Sequence, residues 1–243
     1  MTSNPYESNR YLSEYLLFHY GTAPQLRAFG CLAPEMLRFH KRIRTECLLP
    51  IRRKGHIAAL DLGCGVGRFT FELGRLADQA VGIDFSGRFI RAARRMASER
   101  QIQIRLQETG KQFRSLRLTL PAGLRKSSVE FRAGDAMDLS RYAAGPFQIV
   151  ACINLLCRLP HPARFLAQLE RVVAPGGQLV IASPFSWLEE FTPKNEWLTS
   201  RRVQSLLRPG FKLAKRVDLP FLIREHRRKY QLVISEVMVL VRR

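Results

Sequence analysis

Acidic residues are scarce in this 243-residue chain: 20 Asp+Glu stand against 40 Lys+Arg, for a formal net charge of +20, and only six of the acids are Asp. Long apolar runs are missing too. No stretch approaches the roughly 18 residues that mark a membrane-crossing helix. The N-terminal segment MTSNPYESNRYLSEYLL lacks the basic region, apolar core and small-residue cleavage site of an export signal. The five cysteines (Cys31, Cys47, Cys64, Cys152, Cys157) are odd in number, scattered, and contain no C-x-x-C pair. That argues against a disulfide framework and predicts reduced thiols in a cytoplasmic protein. A composition of 46% hydrophobic and 25% charged residues is that of a globular chain and excludes disorder, collagen and a coiled coil.

The cationic excess raises the question of nucleic acid, because a basic surface neutralises phosphates and releases counterions. Of the 40 cations, 32 are Arg, spread in ones and twos with no block of five. A general bias toward Arg produces the same pattern, so charge alone favours no partner.

Along the chain, Asn4-Pro5-Tyr6-Glu7 has the grammar of a helix start, and Tyr11, Leu12, Tyr15, Leu16 and His19 recur at helical spacing up to Gly21. A second helix is predicted from Pro34 to about Leu48, with Met36, Phe39, Ile43 and Cys47 on one face. These form an N-terminal cap over residues 1–50. From His56 a strand–helix rhythm begins. Strands are predicted at His56–Leu62, Ala80–Asp84, Val129–Arg132, Phe147–Ile153 and Gln178–Ala182, with helices after the first two and at Pro162–Val173. Residues 102–120 alternate on both sides of Gly110 and read as an inserted hairpin, and Phe211–Ile223 and Tyr230–Val241 read as an antiparallel edge pair. The fold class is therefore α/β, a Rossmann-like domain over 56–243 with a mainly parallel seven-stranded sheet covered on both faces, and residues 1–243 are expected to form one domain.

The most informative motif is Asp61-Leu-Gly63-Cys64-Gly65-Val-Gly67, directly after a strand and before a helix. Its glycines permit a tight turn and close approach of a ligand to the backbone. The spacing is G-x-G-x-G rather than the G-x-G-x-x-G of dinucleotide sites, and Asp61 would repel a pyrophosphate there but suits a cationic ligand. Asp84, at the next strand end and followed by Phe85, stands where an acid accepts ribose hydroxyls. Asp135-Ala136 follows the third strand, placed for an adenine amino group. Four of the six Asp (61, 84, 135, 138) fall at strand ends. The constellation, with Asn154 after the fourth strand, resembles the S-adenosyl-L-methionine site of class I, Rossmann-like methyltransferases, whose sheet ends in an antiparallel hairpin.

Several acceptor classes leave signatures that are missing here. The segment Asn154-Leu-Leu-Cys-Arg-Leu159 is not the Asn/Asp-Pro-Pro-Tyr/Phe run of adenine-amino methylation. No cysteine follows a proline, as cytosine-carbon methylation generally has it, and no carboxylate spacing suggests a metal. Beyond the shared cofactor motifs, the segments 4–21, 59–75, 81–93, 153–166, SPFSWLEEFTPKNEWL (183–198) and FLIREHRRKYQ (221–231) resemble the 4-mercaptohistidine methyltransferase family. That family forms the C-terminal domain of bifunctional ovothiol synthases and also occurs free-standing. The resemblance covers essentially the whole chain. It implies methyl transfer to a ring nitrogen of a small thiol-imidazole substrate made upstream by a separate iron-dependent sulfoxide synthase and a lyase.

On that resemblance, His19, Tyr20 and Asn154 are the candidates for positioning or deprotonating the acceptor, and Tyr15, Trp187, Glu190, Arg224 and Tyr230 for holding it. Arg224 is the expected fork for the substrate carboxylate. Several have a plain structural alternative: His19 as a half-buried helix residue, Trp187 as core, the 224–229 run as a solvated strand edge. Cys64 and Cys157 read as small apolar fillers. Two other functions stay open, an RNA or ribosomal-protein methyltransferase and a non-catalytic cofactor-binding subunit.

Overall fold

The structure is a computed structural model that describes residues 5–27, 33–51, 55–124, 128–142 and 145–243. Asn4, the expected first helix cap, and Cys31 lie outside the described residues. After a 3-10 turn at Pro5–Glu7, helix α1 (Asn9–Tyr20) is capped by Ser8, whose hydroxyl accepts the Tyr11 N–H at 3.2 Å. It stops at Gly21, where a Cβ would sit 2.5 Å from the Leu17 carbonyl. A four-residue helix α2 (Ala23–Leu26) follows.

The predicted second helix is broken. Pro34–Met36 is a 3-10 turn, Arg38 takes a left-handed φ of 63°, and only then does α3 (Phe39–Arg42) run into a π turn at Ile43–Cys47. The break has a packing reason. Leu37 joins the apolar cluster under the cap and inserted hairpin, whereas Phe39, Ile43 and Cys47 join the cluster beneath the last strands, and one straight helix has no single face for both.

The core then alternates β1 (Ala58–Leu62), α4 (Arg68–Leu73), β2 (Gln79–Asp84) and α5 (Gly87–Glu99). In β1 Ala59 through Leu62 are all buried, the pattern of a parallel strand covered on both faces. Helix α5 is capped by Ser86 and buries Phe89, Ile90, Ala93 and Met96, leaving Arg91, Arg94 and Arg95 exposed. The hairpin β3 (Gln101–Thr109) and β4 (Gln112–Thr119) forms its own two-stranded sheet. Its inward residues Ile102, Ile104, Leu106, Leu116 and Leu118 pack in one cluster with Leu16, Leu17 and Tyr20 of α1. The remaining elements are β5 (Val129–Ala133), α6 (Leu139–Tyr142), β6 (Phe147–Ile153), α7 (Pro162–Val172), β7 (Val173–Ser183), α8 (Ser200–Leu207), β8 (Phe211–His226) and β9 (Lys229–Arg242).

The seven-stranded order is β5-β2-β1-β6-β7-β9-β8, parallel up to β7 and antiparallel beyond it. The strand order reverses between β1 and β6, where open α/β sheets bind ligands outside the carboxyl ends of the strands. The final hairpin shapes that region. β7 pairs with β9 only as far as Ser183 opposite Glu236, so residues 229–235 pair with β8 alone and project past the end of β7. Among the described residues, no helix is long and apolar enough to cross a membrane.

Candidate active site

A cavity of about 570 Å³ opens at the carboxyl ends of β1, β2, β5 and β6, within the size range of small-molecule sites. One side is built by strand ends and the glycine loop. Gly63, Gly65 and Gly67 have φ of +68°, +56° and +91°, all left-handed. At Gly67 a side chain is doubly excluded, since a Cβ would also lie 2.6 Å from the Phe131 ring. Gly65 faces the cavity, and a Cβ there would stand 3.4 Å from the His19 ring.

Two aspartates govern this side. Asp61, fully buried, accepts the Thr70 hydroxyl at 2.7 Å through Oδ2, while its Oδ1 has no partner. Burial pushes its carboxyl up to about 7. An unsatisfied buried acceptor costs about 1–3 kcal/mol, so the atom is set for a donor from outside the chain. Asp84 accepts the Gly65 N–H and the Ser86 N–H, each at 2.8 Å, and burial raises its carboxyl to about 6. It thus holds the glycine loop to the start of α5. Asp135 accepts the Met137 N–H at 2.8 Å, and with Ala136 it lines the far end. Phe85 is 70% exposed and flanks the opening. Cys64 is buried in the wall, with its thiol pushed well up by burial, so it is no nucleophile.

The other side is assembled from distant segments: Tyr6, Tyr15, Phe18 and His19 from the N-terminus, His40 from α3, Asn154 and Arg158 after β6, Glu190 and Phe191 from the 184–199 segment, and Gln231 and Val233 from β9. His19 is fixed through Arg68. The Arg68 N–H donates to its Nδ1 at 3.3 Å, the Arg68 guanidinium donates to its carbonyl at 3.0 Å, and buried Glu72 holds that guanidinium at 2.8 Å. Acceptance at Nδ1 assigns the proton to Nε2. Burial and then Arg68 lower the imidazole to about 3, so it is neutral. The His40 ring lies 4.2 Å from it and is likewise held well below the usual imidazole range by burial. Asn154 takes a φ of 56°, and its Oδ1 accepts the Ser235 hydroxyl at 2.7 Å.

The cavity therefore gathers His19, Asn154, Asp61, Gly63, Cys64, Gly65, Asp84, Phe85, Asp135, Ala136, Tyr15 and Glu190 of the predicted residues. Others stand elsewhere. Gly67 caps α4 behind the wall. Asp138 is exposed and accepts the Ser140 hydroxyl at 2.7 Å, so three rather than four aspartates converge. Tyr20 is buried with its hydroxyl donated to the Val66 carbonyl at 2.7 Å, tethering the glycine loop to α1. Trp187 packs on the core and donates to the Leu198 carbonyl. Arg224 is buried, bonded to the Gln25 carbonyl and to Glu108 at 2.7 Å, a strut between β8 and the inserted hairpin. Tyr230, opposite Arg224 in the β8/β9 register, also lies off the cavity.

The sequence reading missed Tyr6, His40, Arg158, Phe191 and Gln231. Four of them lie within the segments that carry the family resemblance. His40 was hidden because the apolar period of Phe39, Ile43 and Cys47 accounted for its helix without it.

Residues 60–181, half of the chain, match the family model described as "Methyltransferase domain". The chain belongs to this methyltransferase family. Among curated relatives, the ubiquinone biosynthesis O-methyltransferase of Xanthomonas oryzae pv. oryzae (strain PXO99A) is 25% identical over 124 residues, 51% of this chain and 41% of that protein. The matched region thus spans about two fifths of the relative's length. Among solved structures, PH0226 protein from Pyrococcus horikoshii OT3 superposes with a TM-score of 0.54 at 23% identity, covering 90% of this chain and 96% of that one. The magnesium protoporphyrin IX methyltransferase ChlM from Synechocystis PCC 6803, solved with bound SAH, gives 0.51 at 17% identity, covering 77% and 75%. At these identities the likeness establishes the fold.

The cofactor of this methyltransferase is S-adenosyl-L-methionine, and the residues present fit it. Asp61 offers an unpartnered buried oxygen to a cationic group, Gly65 leaves a cradle that a Cβ would fill, and Asp84 and Asp135 keep acceptor capacity facing the same space. When bound, the cofactor supplies an electrophilic methyl group on a sulfonium.

Proposed function

We propose that this methyltransferase alkylates a ring nitrogen of 4-mercaptohistidine. One observation carries the reading: the segments of the family resemblance that lie outside the shared cofactor core converge on one wall of one cavity. Tyr15 and His19 come from 4–21, Asn154 and Arg158 from 153–166, Glu190 and Phe191 from 183–198, and Ile223 and Gln231 from 221–231. Four separate stretches meeting beside the glycine loop are what a dedicated acceptor site needs.

The chemistry asks little of the protein beyond placement, since holding two reactants in line supplies much of the barrier reduction. Tyr15, Phe18 and Phe191 provide flat apolar walls for an aromatic ring. His19 stays neutral across the physiological range, so it donates from Nε2 and orients the acceptor instead of carrying its proton away. Asn154, braced by Ser235, lines the same cavity. The thiol-imidazole itself releases its proton to water at the open mouth.

Incubating the protein with S-adenosyl-L-methionine and enzymatically prepared 4-mercaptohistidine, followed by mass detection of the added methyl group and assignment of the methylated atom, tests the reading. Methylation at a ring nitrogen is expected. Cofactor binding without methylation of this acceptor sinks it, and methylation of a phenolic oxygen in a parallel panel moves the function to the chemistry named for the Xanthomonas relative. The sulfoxide synthase and lyase that supply the acceptor remain part of the same proposal.

A further inference from the structure

Of the 40 cations in the chain, one lines the cavity among the described residues, and it is Arg158. Its environment differs from that of Arg44, Arg68 and Arg224. Arg44 and Arg68 pair with Glu72 at 2.7 and 2.8 Å, and Arg224 pairs with Glu108 at 2.7 Å. Among the described residues, Arg158 has neutral partners only. Its Nε donates to the Tyr6 hydroxyl at 3.1 Å, and its Nη1 donates to the carbonyls of Cys157 and Ser186 at 2.9 and 3.0 Å. The guanidinium lies 5.2 Å from the centre of the Phe191 ring. Nη2 donates to nothing among the described residues.

A guanidinium fixed at two nitrogens and resting on an aromatic ring is held rigid with its third nitrogen open. A partly buried cation without a counter-charge is costly, and neutral hydrogen-bond partners offset only part of that cost. An incoming carboxylate meets the preoriented, open Nη2, accepts a charge-assisted hydrogen bond from it and completes the neutralisation. The position says whose carboxylate. Arg158 follows β6 next to Asn154, and its partners come from the N-terminal turn and the 184–191 segment. Asp84 and Asp135 lie at the ends of β2 and just after β5, on the other side of β1.

We infer that Arg158 is the specificity-determining anchor of the acceptor, and that the methyl acceptor carries a carboxylate which this guanidinium holds while its nucleophilic atom faces the glycine loop. This rests on the cavity being a methyl-transfer site and not on which acceptor fills it. It transfers to Arg158 the role that the sequence suggested for Arg224.

The experiment pairs acids with their neutral counterparts. Binding to the protein saturated with S-adenosylhomocysteine is measured by calorimetry for imidazole-4-acetate against 4-methylimidazole and for 4-hydroxybenzoate against phenol, in wild type, Arg158→Met and Arg158→Lys. In parallel, KM is measured for 4-mercaptohistidine and its decarboxylated amine. At least one acid is expected to bind wild type about 10- to 100-fold more tightly than its neutral partner, a charge-assisted bond's worth. That preference disappears in Arg158→Met, returns in part in Arg158→Lys, and leaves S-adenosylhomocysteine affinity unchanged. Loss of cofactor affinity equal to the loss of acid binding overturns the inference, because the carboxylate is then the cofactor's own. Equal losses for acids and neutral partners overturn it as well, since the arginine is then only structural. No acid preference in wild type does the same. If mercaptohistidine is not methylated but an acid preference is present and depends on Arg158, the acceptor identity fails and the anchor stands.

Discussion

The two sides of the cavity are built in different ways. On the proposed assignment the cofactor side is local: Asp61, Gly63 and Gly65 lie within five consecutive residues, Asp84 ends β2, and Asp135 follows the neighbouring parallel strand β5. It is acidic and depends on backbone geometry. The proposed acceptor side draws on five separate stretches of chain, is mostly aromatic, and contains a single guanidinium among the described residues. A site that reads a cofactor shared by a whole family can be fixed by one loop, whereas a site that reads a particular acceptor is free to vary because each wall comes from an element outside that loop.

The sharpest way to break this division is at the two arginines competing for the acceptor role. Arg224→Met removes one member of a buried ion pair and is expected to cost about 3–5 kcal/mol of stability. For a chain of this size that is a fall of roughly 6–20 °C in Tm. At a temperature where the variant is folded, KM for the acceptor should equal that of wild type. A raised KM with unchanged Tm would return Arg224 to the acceptor side. The next effect belongs to the cofactor side. Asp84→Ala should weaken cofactor binding by about 1.5–3 kcal/mol, the size of a hydrogen bond to a charged group. The acceptor's KM at saturating cofactor should stay put, and equilibrium dialysis with labelled cofactor reads the difference.

A third effect is spread over several pH units, and its sign differs between the two sides. Asp61 and Asp84 titrate near 7 and 6 in the fold, against an ordinary value of 3.8. The folded protein therefore keeps protons that the unfolded chain has released. Their contribution to the stability of the ligand-free protein is complete below about pH 4 and is lost as pH rises through 6 to 7. His19 and His40 run the other way. Their folded values lie below the ordinary 6.5, so their contribution is complete above it and is lost as pH falls through the folded values, about 3 for His19. Urea titrations across pH 4 to 8 should show Asp61→Asn flattening the loss on the alkaline side and His19→Asn flattening the loss on the acid side. Cofactor affinity should rise with pH through 6 to 7 in wild type, and less in Asp61→Asn.

The same contrast explains what was legible in the sequence. Strand ends, the glycine loop and the Ser86 cap are short-range patterns, and a mainly parallel sheet follows from strands alternating with helices. The inserted hairpin was visible because Ile102, Ile104, Leu106 and Leu116, Leu118, Leu120 alternate on either side of Gly110. The acceptor wall has no such period. Arg158 sits one residue beyond Cys157 in a 3-10 turn and owes its place to Tyr6, 152 positions away. Arg224 is the expected anchor on the family resemblance and a solvated strand edge on its charged run, and neither reading reaches its contacts with Gln25 and Glu108, which arise only once the cap and the hairpin have folded onto β8. The break at Arg38 was invisible because an apolar face at helical spacing does not reveal that its two ends serve different clusters.

The smallest predicted effect concerns the residue where the two sides touch. Helix α1 gives adjacent side chains to each: His19 faces the acceptor wall, and Tyr20 turns inward to donate to the Val66 carbonyl inside the glycine loop. Tyr20→Phe keeps the ring and its packing against Leu16 and Leu17 but leaves that carbonyl, on a residue with no exposure, without its donor. The expected cost is about 1–3 kcal/mol of stability, with a smaller weakening of cofactor binding as the loop loosens. The ring of His19 is held by Arg68 and Glu72 rather than by Tyr20, so KM for the acceptor and the pH profile of kcat should not move. A fall in kcat at saturating cofactor, with Tm and cofactor affinity intact, would instead make the Tyr20 hydroxyl a participant in the chemistry and erase the boundary between the two sides at this point in α1.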